Sequence, residues 1–357
     1  MLHYTEMKPL SVRWLAGLLL LAVAISGCYG STRPVVKIGL IAPFEELYRD
    51  DGYEVLNAVR LAVNQRNLAG GVAGRDVALV ALNDNGRPDE ARRQAANMAI
   101  DGDVLGVIGP VKAGSVSAGQ ALSQRETPWI ALTELQPAEL AGGFSLALTP
   151  ETLVRAAIDD LLAQSGVNSA LLLSDWPEAQ TADAADSVRS LPLASAESVT
   201  TKPGEGVVWL GDSAQGARLA MDLGSTVVLV GGSEVGSHVF AGRAGSDAAK
   251  AMWLSAAPGI DQMPTGFVEA YRSLAGADPG PQAVLAYDAA NLLLDAIEMA
   301  AANGAAPDRS AVQQALLKLG NDGWQGSVDT VLWVPGCDIA AGCGRLSDGA
   351  VYLHAVK

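Results

Sequence analysis

The sequence predicts an α/β protein built on parallel sheets and divided into two domains. Three observations carry that expectation. Val35 to Ala42 (VVKIGLIA) is an apolar run interrupted only by Lys37 and Gly39, the pattern of a strand buried on both faces. The period then changes. Between Tyr53 and Ala69, Val55, Ala58, Val59, Ala62 and Val63 fall at helical spacing, with Glu54, Asn57, Arg60, Asn64 and Arg66 on the other face. Asp76 to Leu82 is strand again, so the stretch is one βαβ unit with parallel strands and a right-handed crossover. Finally, without its leader the chain runs to about 330 residues, more than one ordinary domain of roughly 100–200.

The leader comes first in the chain. Lys8 and Arg13 form a positive n-region, and Trp14 to Ile25 is apolar but short for a bilayer span. Ile25-Ser26-Gly27-Cys28 carries the small residues and the cysteine of a bacterial lipoprotein cleavage site. Residues 1–27 are then a signal peptide, Cys28 carries the lipid, and residues 28–34 are a tether. A plain secretory signal with an incidental cysteine is the alternative. No other apolar stretch is long and clean enough to be transmembrane.

Composition fits an exported protein. The formal charge is −15, and residues 1–27 carry Lys8, Arg13 and Glu6, so the chain without them is one unit more negative. No basic patch is present, which argues against a nucleic-acid partner. Aromatic residues are only 5% while Ala and Gly abound, which suits close packing of helix on sheet. In an oxidising compartment Cys337 and Cys343 (GCDIAAGCG) read as a disulfide. A metal site is disfavoured there, because neither a His nor a further Cys is nearby and the gap is wide.

Further elements follow in order. Gly70-Gly71 ends the first helix, and Asn83 to Pro88 is a turn. Asp89 to Ile100 is a helix with Ala91, Ala95, Met98 and Ala99 on one face. Val104 to Ile108 is a strand, then a loop through Gly109-Pro110 to Ser115 opens a helix to about Arg125. Thr127 to Leu132 is a short strand leading to Thr133-Glu134-Leu135. Phe144 to Pro150 is the crossing to the second domain. Glu151 to Gln164 is a helix, Ser169 to Leu173 a strand, and Gln180 to Ser190 a weaker helix. Strands are expected near Ala196–Thr201, at Val207–Leu210, Thr226–Val230 and Ala251–Ala256, with a helix at Ala214–Leu223. Phe267 to Ala300 and Ser310 to Leu319 are helical, the latter capped by Asp308 or Ser310.

Several stretches carry a resemblance: IGLIAP with NLAGGVAGRDVALVALNDNG, VIGP at Val107–Pro110, FVEAY and AYDA between Phe267 and Ala289, and GWQGSV at Gly323–Val328. Together they resemble the type 1 periplasmic binding proteins, nearest the branched-chain amino-acid-binding (Leu/Ile/Val-binding) branch of ABC importers. The resemblance implies two doubly wound, Rossmann-like lobes joined by a hinge. Residues 35–148 and 257–322 would form lobe 1, and 149–256 and 323–357 lobe 2. The second lobe is expected to be shortened. Only Lys202 to Gly206 separate two expected strands where the family has a helix, and five residues cannot join directly paired parallel strands.

The resemblance also implies a ligand cleft at the carboxyl ends of the strands. Tyr48, Lys112, Ala113, Gly114, Thr133, Glu134 and Leu135 would line it from lobe 1, and Asp175, Trp176, Asp212 and Glu234 from lobe 2. Lys112 and Ala113 stand where the family has two serines, and Leu135 stands at its hydroxyl position. A ligand carboxylate would sit near Lys112 and the amides of Ala113 and Gly114, and Glu234 would meet an ammonium. Lys112 and Glu234 also read as solvated loop residues. Acidic residues outnumber basic ones near the cleft, so a ligand with an amino or other cationic group is expected. No catalytic motif, cofactor fingerprint or metal set is present, and His238 and His354 stand alone outside the leader. The implied protein is a monomeric solute-binding lipoprotein that serves an ABC permease, not an enzyme. The alternative is a sensing or regulatory lipoprotein with a degenerate pocket.

Overall fold

The computed structural model describes residues 33–182, 186–301, 306–327, 329–333, 344–347 and 350–356. Cys28, Cys337 and Cys343 lie outside the described residues, so the lipid and disulfide expectations concern positions beyond them. Val35–Lys357 forms one compact unit. It contains two six-stranded sheets of the same strand order.

The first sheet has β1 (Val35–Ala42), β2 (Asp76–Asn83), β3 (Val104–Ile108), β4 (Trp129–Ala131) and β5 (Phe144–Ser145). All pair in parallel, in the order β5-β4-β3-β1-β2. The second has β6 (Ser169–Leu173), β7 (Val188–Leu191), β8 (Glu205–Trp209), β9 (Leu229–Gly231) and β10 (Ala251–Ser255), parallel in the order β10-β9-β8-β6-β7. Hairpin strands β11 (Trp324–Gln325) and β12 (Thr330–Val331) pair separately. The carboxyl-terminal segment is shared between the sheets. β13 (Gly344–Arg345) adds to β5 in the first sheet, and β14 (Tyr352–Ala355) runs antiparallel to β10 in the second. Assigning all of 323–357 to lobe 2 therefore does not fit Gly344–Arg345.

Helices cover both faces of each sheet, as the continuous apolar strands demand. Along β4, Ile130 joins the large central core while Trp129 and Ala131 join the cluster on the opposite face. Along β8, Val208 faces the central core while Val207 and Trp209 pack into a third cluster. α1 (Arg49–Leu68), α2 (Pro88–Ile100) and α3 (Ser117–Ser123) belong to the first sheet. α4 (Pro150–Leu162), α5 (Pro177–Ala182), α6 (Ser213–Leu223) and α7 (His238–Ala244) belong to the second. The chain returns through α8 (Thr265–Ala275), α9 (Pro281–Ala300) and α10 (Arg309–Asp322), which pack on the first. Asp308 is the cap of α10, accepting from the Ala311 amide at 2.8 Å.

Two expectations for the second lobe need correction. Helix α5 spans Pro177–Ala182, and Val188 to Ser190, expected as the end of a helix, belong to strand β7 (Val188–Leu191). Being an edge strand it reads Val-Arg-Ser-Leu and lacks the apolar run that marks a central strand. Ala196–Thr201, expected as strand, instead overlaps a 3-10 turn at Leu193–Ser198, a stretch without β-branched residues. The crossover therefore runs from Pro192 to Gly204, and β7 and β8 both pair with β6 instead of with each other. Arg189 ties its ends together. Its Nε and Nη2 donate to Glu205 at 2.7 and 2.8 Å, and Nη2 also donates to the Thr200 carbonyl at 2.9 Å.

Candidate functional site

In each sheet the strand order reverses beside the first strand, between β1 and β3 and between β6 and β8. Loops leaving such a switch point diverge and open a crevice at the carboxyl ends. Gly109 makes the first of these loops possible. Its φ is +123°, and a Cβ there would lie 2.6 Å from the Ile41 carbonyl oxygen, so the chain leaves β3 against β1 only with glycine. The loop then carries Lys112 into the crevice, facing the loops after β8 and β9.

Lys112 is buried, with 5% of its surface exposed. Its Nζ lies 3.2 Å from Asp51 Oδ2 of α1 and 3.2 Å from Glu234 Oε2, which reaches over from the second sheet. It also sits 5.2 Å from the centre of the Tyr48 ring. Asp51 accepts from the Ser237 hydroxyl at 2.6 Å and the His238 amide at 3.0 Å. Glu234 accepts from the Ala113 amide at 3.1 Å, the Ser213 amide at 3.2 Å, and the Ser213 hydroxyl. Burial works to discharge Lys112, but Glu234 and Asp51 outweigh it and hold the ammonium above its ordinary range. Burial likewise works to raise Asp51, but Lys112, Ser237 and His238 prevail and its carboxyl sits below the ordinary value. The Tyr48 hydroxyl is pushed up to about 12, by burial first and by Glu234 second.

A second carboxylate crosses the other way. Glu134, from the loop after β4, accepts from the Ser233 amide at 3.0 Å and the Ser233 hydroxyl at 2.6 Å, with the Thr133 hydroxyl at 3.5 Å. Among the described residues no lysine, arginine or histidine forms an ion pair with Glu134. Burial pushes its carboxyl above the ordinary range. Glu134 borders a cavity of about 230 Å³ between the two sheets, walled by Val116, Thr133 and Glu139 on one side and by Trp176, Asp212 and Ser233 on the other.

The structure brings together Ala113, Thr133, Glu134, Trp176, Asp212 and Glu234 around this cavity. Lys112 and Tyr48 stand behind it in the buried ion-pair network. The remaining candidates lie elsewhere. Leu135 is buried in the core on the far face of the first sheet. Gly114 packs against Gly86, where a Cβ would be 2.3 Å from the carbonyl oxygen. Asp175 is exposed and accepts from the Leu193 amide at 3.0 Å. Ser213, Ser233 and Asp51 were not among the candidates. Asp51 carried a signal, since it shares a helix face with Val55, Ala58 and Ala62, and a carboxylate on an apolar face needs a buried partner. The two serines carried a weaker one: Asp212-Ser213 and Ser233-Glu234 follow expected strands and so lie at ligand-side ends, but their role is set by which strand ends meet across the crevice.

Comparison with known proteins agrees with this architecture. A family model described as periplasmic binding protein matches residues 35–206. The Leu/Ile/Val-binding protein BraC3 of Rhizobium johnstonii is 35% identical over 79 residues, which span 22% of this chain and 21% of that protein. The leucine-binding protein LivK of Thermotoga maritima superposes with a TM-score of 0.74 at 18% identity, over 90% of this chain and 95% of that one. LivJ of Streptococcus pneumoniae, solved in complex with isoleucine, gives a TM-score of 0.72 at 18% identity, over 89% of this chain and 95% of the other. Residues 35–206 thus resemble the periplasmic binding proteins in sequence, and the described residues share the fold of these solved substrate-binding proteins.

Proposed function

We propose that this protein is the extracytoplasmic solute-binding component of an ABC importer. A lipid on Cys28 keeps it at the membrane. Its two lobes close on a small ligand bearing a cationic group, and the closed form is offered to the permease. The observation that carries this reading is the cavity of about 230 Å³ at the facing strand ends, with walls from both sheets. The similarity to Leu/Ile/Val-binding proteins supports it. The test is a thermal-shift screen of the purified protein against amino acids, amides, urea and amines. A ligand at a thousand times its Kd adds about 4 kcal/mol of stability, which such a screen registers. The Cys28→Ser variant should leave the membrane fraction or remain unprocessed, and an unmodified mature Cys28 by mass spectrometry would remove the anchor from the proposal.

One observation favours a second reading, a regulatory lipoprotein that keeps the fold without taking cargo. The Lys112–Glu234 pair joins the lobes with the chain's own charges. A screen in which no compound stabilises the protein would favour it.

A further inference from the structure

The geometry points to a cleft that takes an organic cation lacking a carboxylate, with Glu134 receiving its charge. This rests on the solute-binding reading and names the class of ligand. An amino acid brings one ammonium and one carboxylate. Here the chain itself fills both roles. Lys112 supplies an ammonium to Glu234 at 3.2 Å, and Glu234 supplies a carboxylate to the Ala113 amide at 3.1 Å. A carboxylate offers about four acceptor positions. Glu234 uses its own on the Ala113 and Ser213 amides, the Ser213 hydroxyl and the Lys112 ammonium. Lys112 in turn is engaged by Asp51, Glu234 and the Tyr48 ring. A zwitterion could reach these groups only by separating a buried ion pair, which strands its members in low dielectric.

Glu134 is placed differently. Its Oε1 accepts the single Ser233 amide, and acceptor capacity remains on that oxygen. The cavity it borders is walled by further carboxylates, Glu139 and Asp212, and among the described residues no lysine, arginine or histidine lines it. A ligand carboxylate would meet like charge there with no cation to answer it. An amine would supply the cation that Glu134 lacks, and the indole of Trp176 and the apolar Val116 and Leu153 would cover its body.

The test uses wild-type protein and three pairs of compounds that differ by one carboxylate: 3-methylbutylamine and leucine, phenethylamine and phenylalanine, putrescine and ornithine. Calorimetry should find at least one amine bound more tightly than its amino acid by about tenfold to a hundredfold, the scale of one charged hydrogen bond. Glu134→Gln should weaken that amine by a similar factor while its melting temperature in the absence of ligand stays near wild type. Amino acids binding as well as or better than their amines overturns the inference and leaves the solute-binding reading standing. Unweakened amine binding by the Glu134→Gln variant removes Glu134 from the site and overturns it as well. Binding by none of the compounds overturns the inference, while the wider thermal-shift screen of amino acids, amides, urea and amines decides the solute-binding reading separately.

Discussion

Two carboxylates cross between the sheets in opposite directions, and they differ in one respect. Glu234 reaches from the second sheet to a buried lysine and is fully engaged. Glu134 reaches from the first sheet to Ser233 and finds only neutral donors. A buried carboxylate with a cation is a fixed part of the structure, and removing either partner leaves the other stranded. A half-buried carboxylate without one, such as Glu134, keeps a net field that a mobile cation can answer. The contrast separates a latch from a site, although the sequence marked both only as acidic residues expected to line one cleft.

Breaking the latch should produce the largest effect. Lys112→Met removes the shared cation and leaves Asp51 and Glu234 buried together. The expected loss is about 3–5 kcal/mol in urea unfolding, the range for breaking a buried pair from one side. A loss below about 1 kcal/mol, the scale of a surface ion pair, would show that the lobes are joined by other contacts.

Asp288 sharpens the comparison because among the described residues it too meets no cation, but it is buried and lies away from the cavity. Its carboxylate accepts from the Ser327 amide at 3.0 and 2.9 Å and from the Ser327 hydroxyl at 2.5 Å. Burial raises its carboxyl to about 6, against the opposing pull of Ser327. A carboxyl raised in the folded state holds its proton more tightly there. The stability this gives is complete below about 3.8 and is lost as the pH rises through about 6. Relative to Asp288→Asn, wild type should therefore lose about 3 kcal/mol across that window. Parallel stability profiles for the two proteins would contradict it.

Much of the frame was readable in advance because it rests on local pattern. The apolar runs of β1, β3 and β8 signal strands buried on both faces, and the helical period of α1, α4 and α9 is unbroken. The AYDA and GWQGSV motifs, noted separately, turn out to be one contact, Asp288 holding Ser327. What failed lies at the edges. Strand β7 has solvent on one side and no apolar run, so its four residues resemble the end of a helix. In the site, Lys112 and Glu234 were each named, with a ligand expected between them. Their direct pairing depends on the approach of two sheets, which no local spacing encodes. Leu135 was misplaced for the same reason: position in a loop does not fix which face a side chain takes.

Glu234→Gln weakens the latch more gently than loss of Lys112. The amide oxygen can still accept from Ala113 or Ser213, but the charge facing Lys112 is gone. Stability should fall by about 1–3 kcal/mol, the scale of a hydrogen bond to a charged group. Unfolding in urea measures it, and an unchanged midpoint would mean that Asp51 alone satisfies Lys112.

The smallest change in stability is expected at Glu134, and its sign is the informative part. In Glu134→Gln the side-chain oxygen can keep the Ser233 amide, and the new NH₂ can donate to the Ser233 hydroxyl, so at neutral pH the loss should stay below about 1 kcal/mol or reverse into a gain. The wild-type carboxyl is raised in the folded state, chiefly by burial, with Glu234 adding to the shift. Its protonated form therefore stabilises wild type below the ordinary carboxyl value, and that contribution is lost as the pH rises through the folded value. Melting temperatures across this range should show the Gln variant gaining on wild type as the pH increases. A cation bound at Glu134 favours the ionised form and lowers its pKa, so saturating 3-methylbutylamine should flatten the difference. Glu234→Gln should show no such amine-dependent flattening, because the cation at that position is Lys112 and belongs to the chain. Curves for wild type and Glu134→Gln that run parallel, with and without amine, would erase the distinction between the two carboxylates.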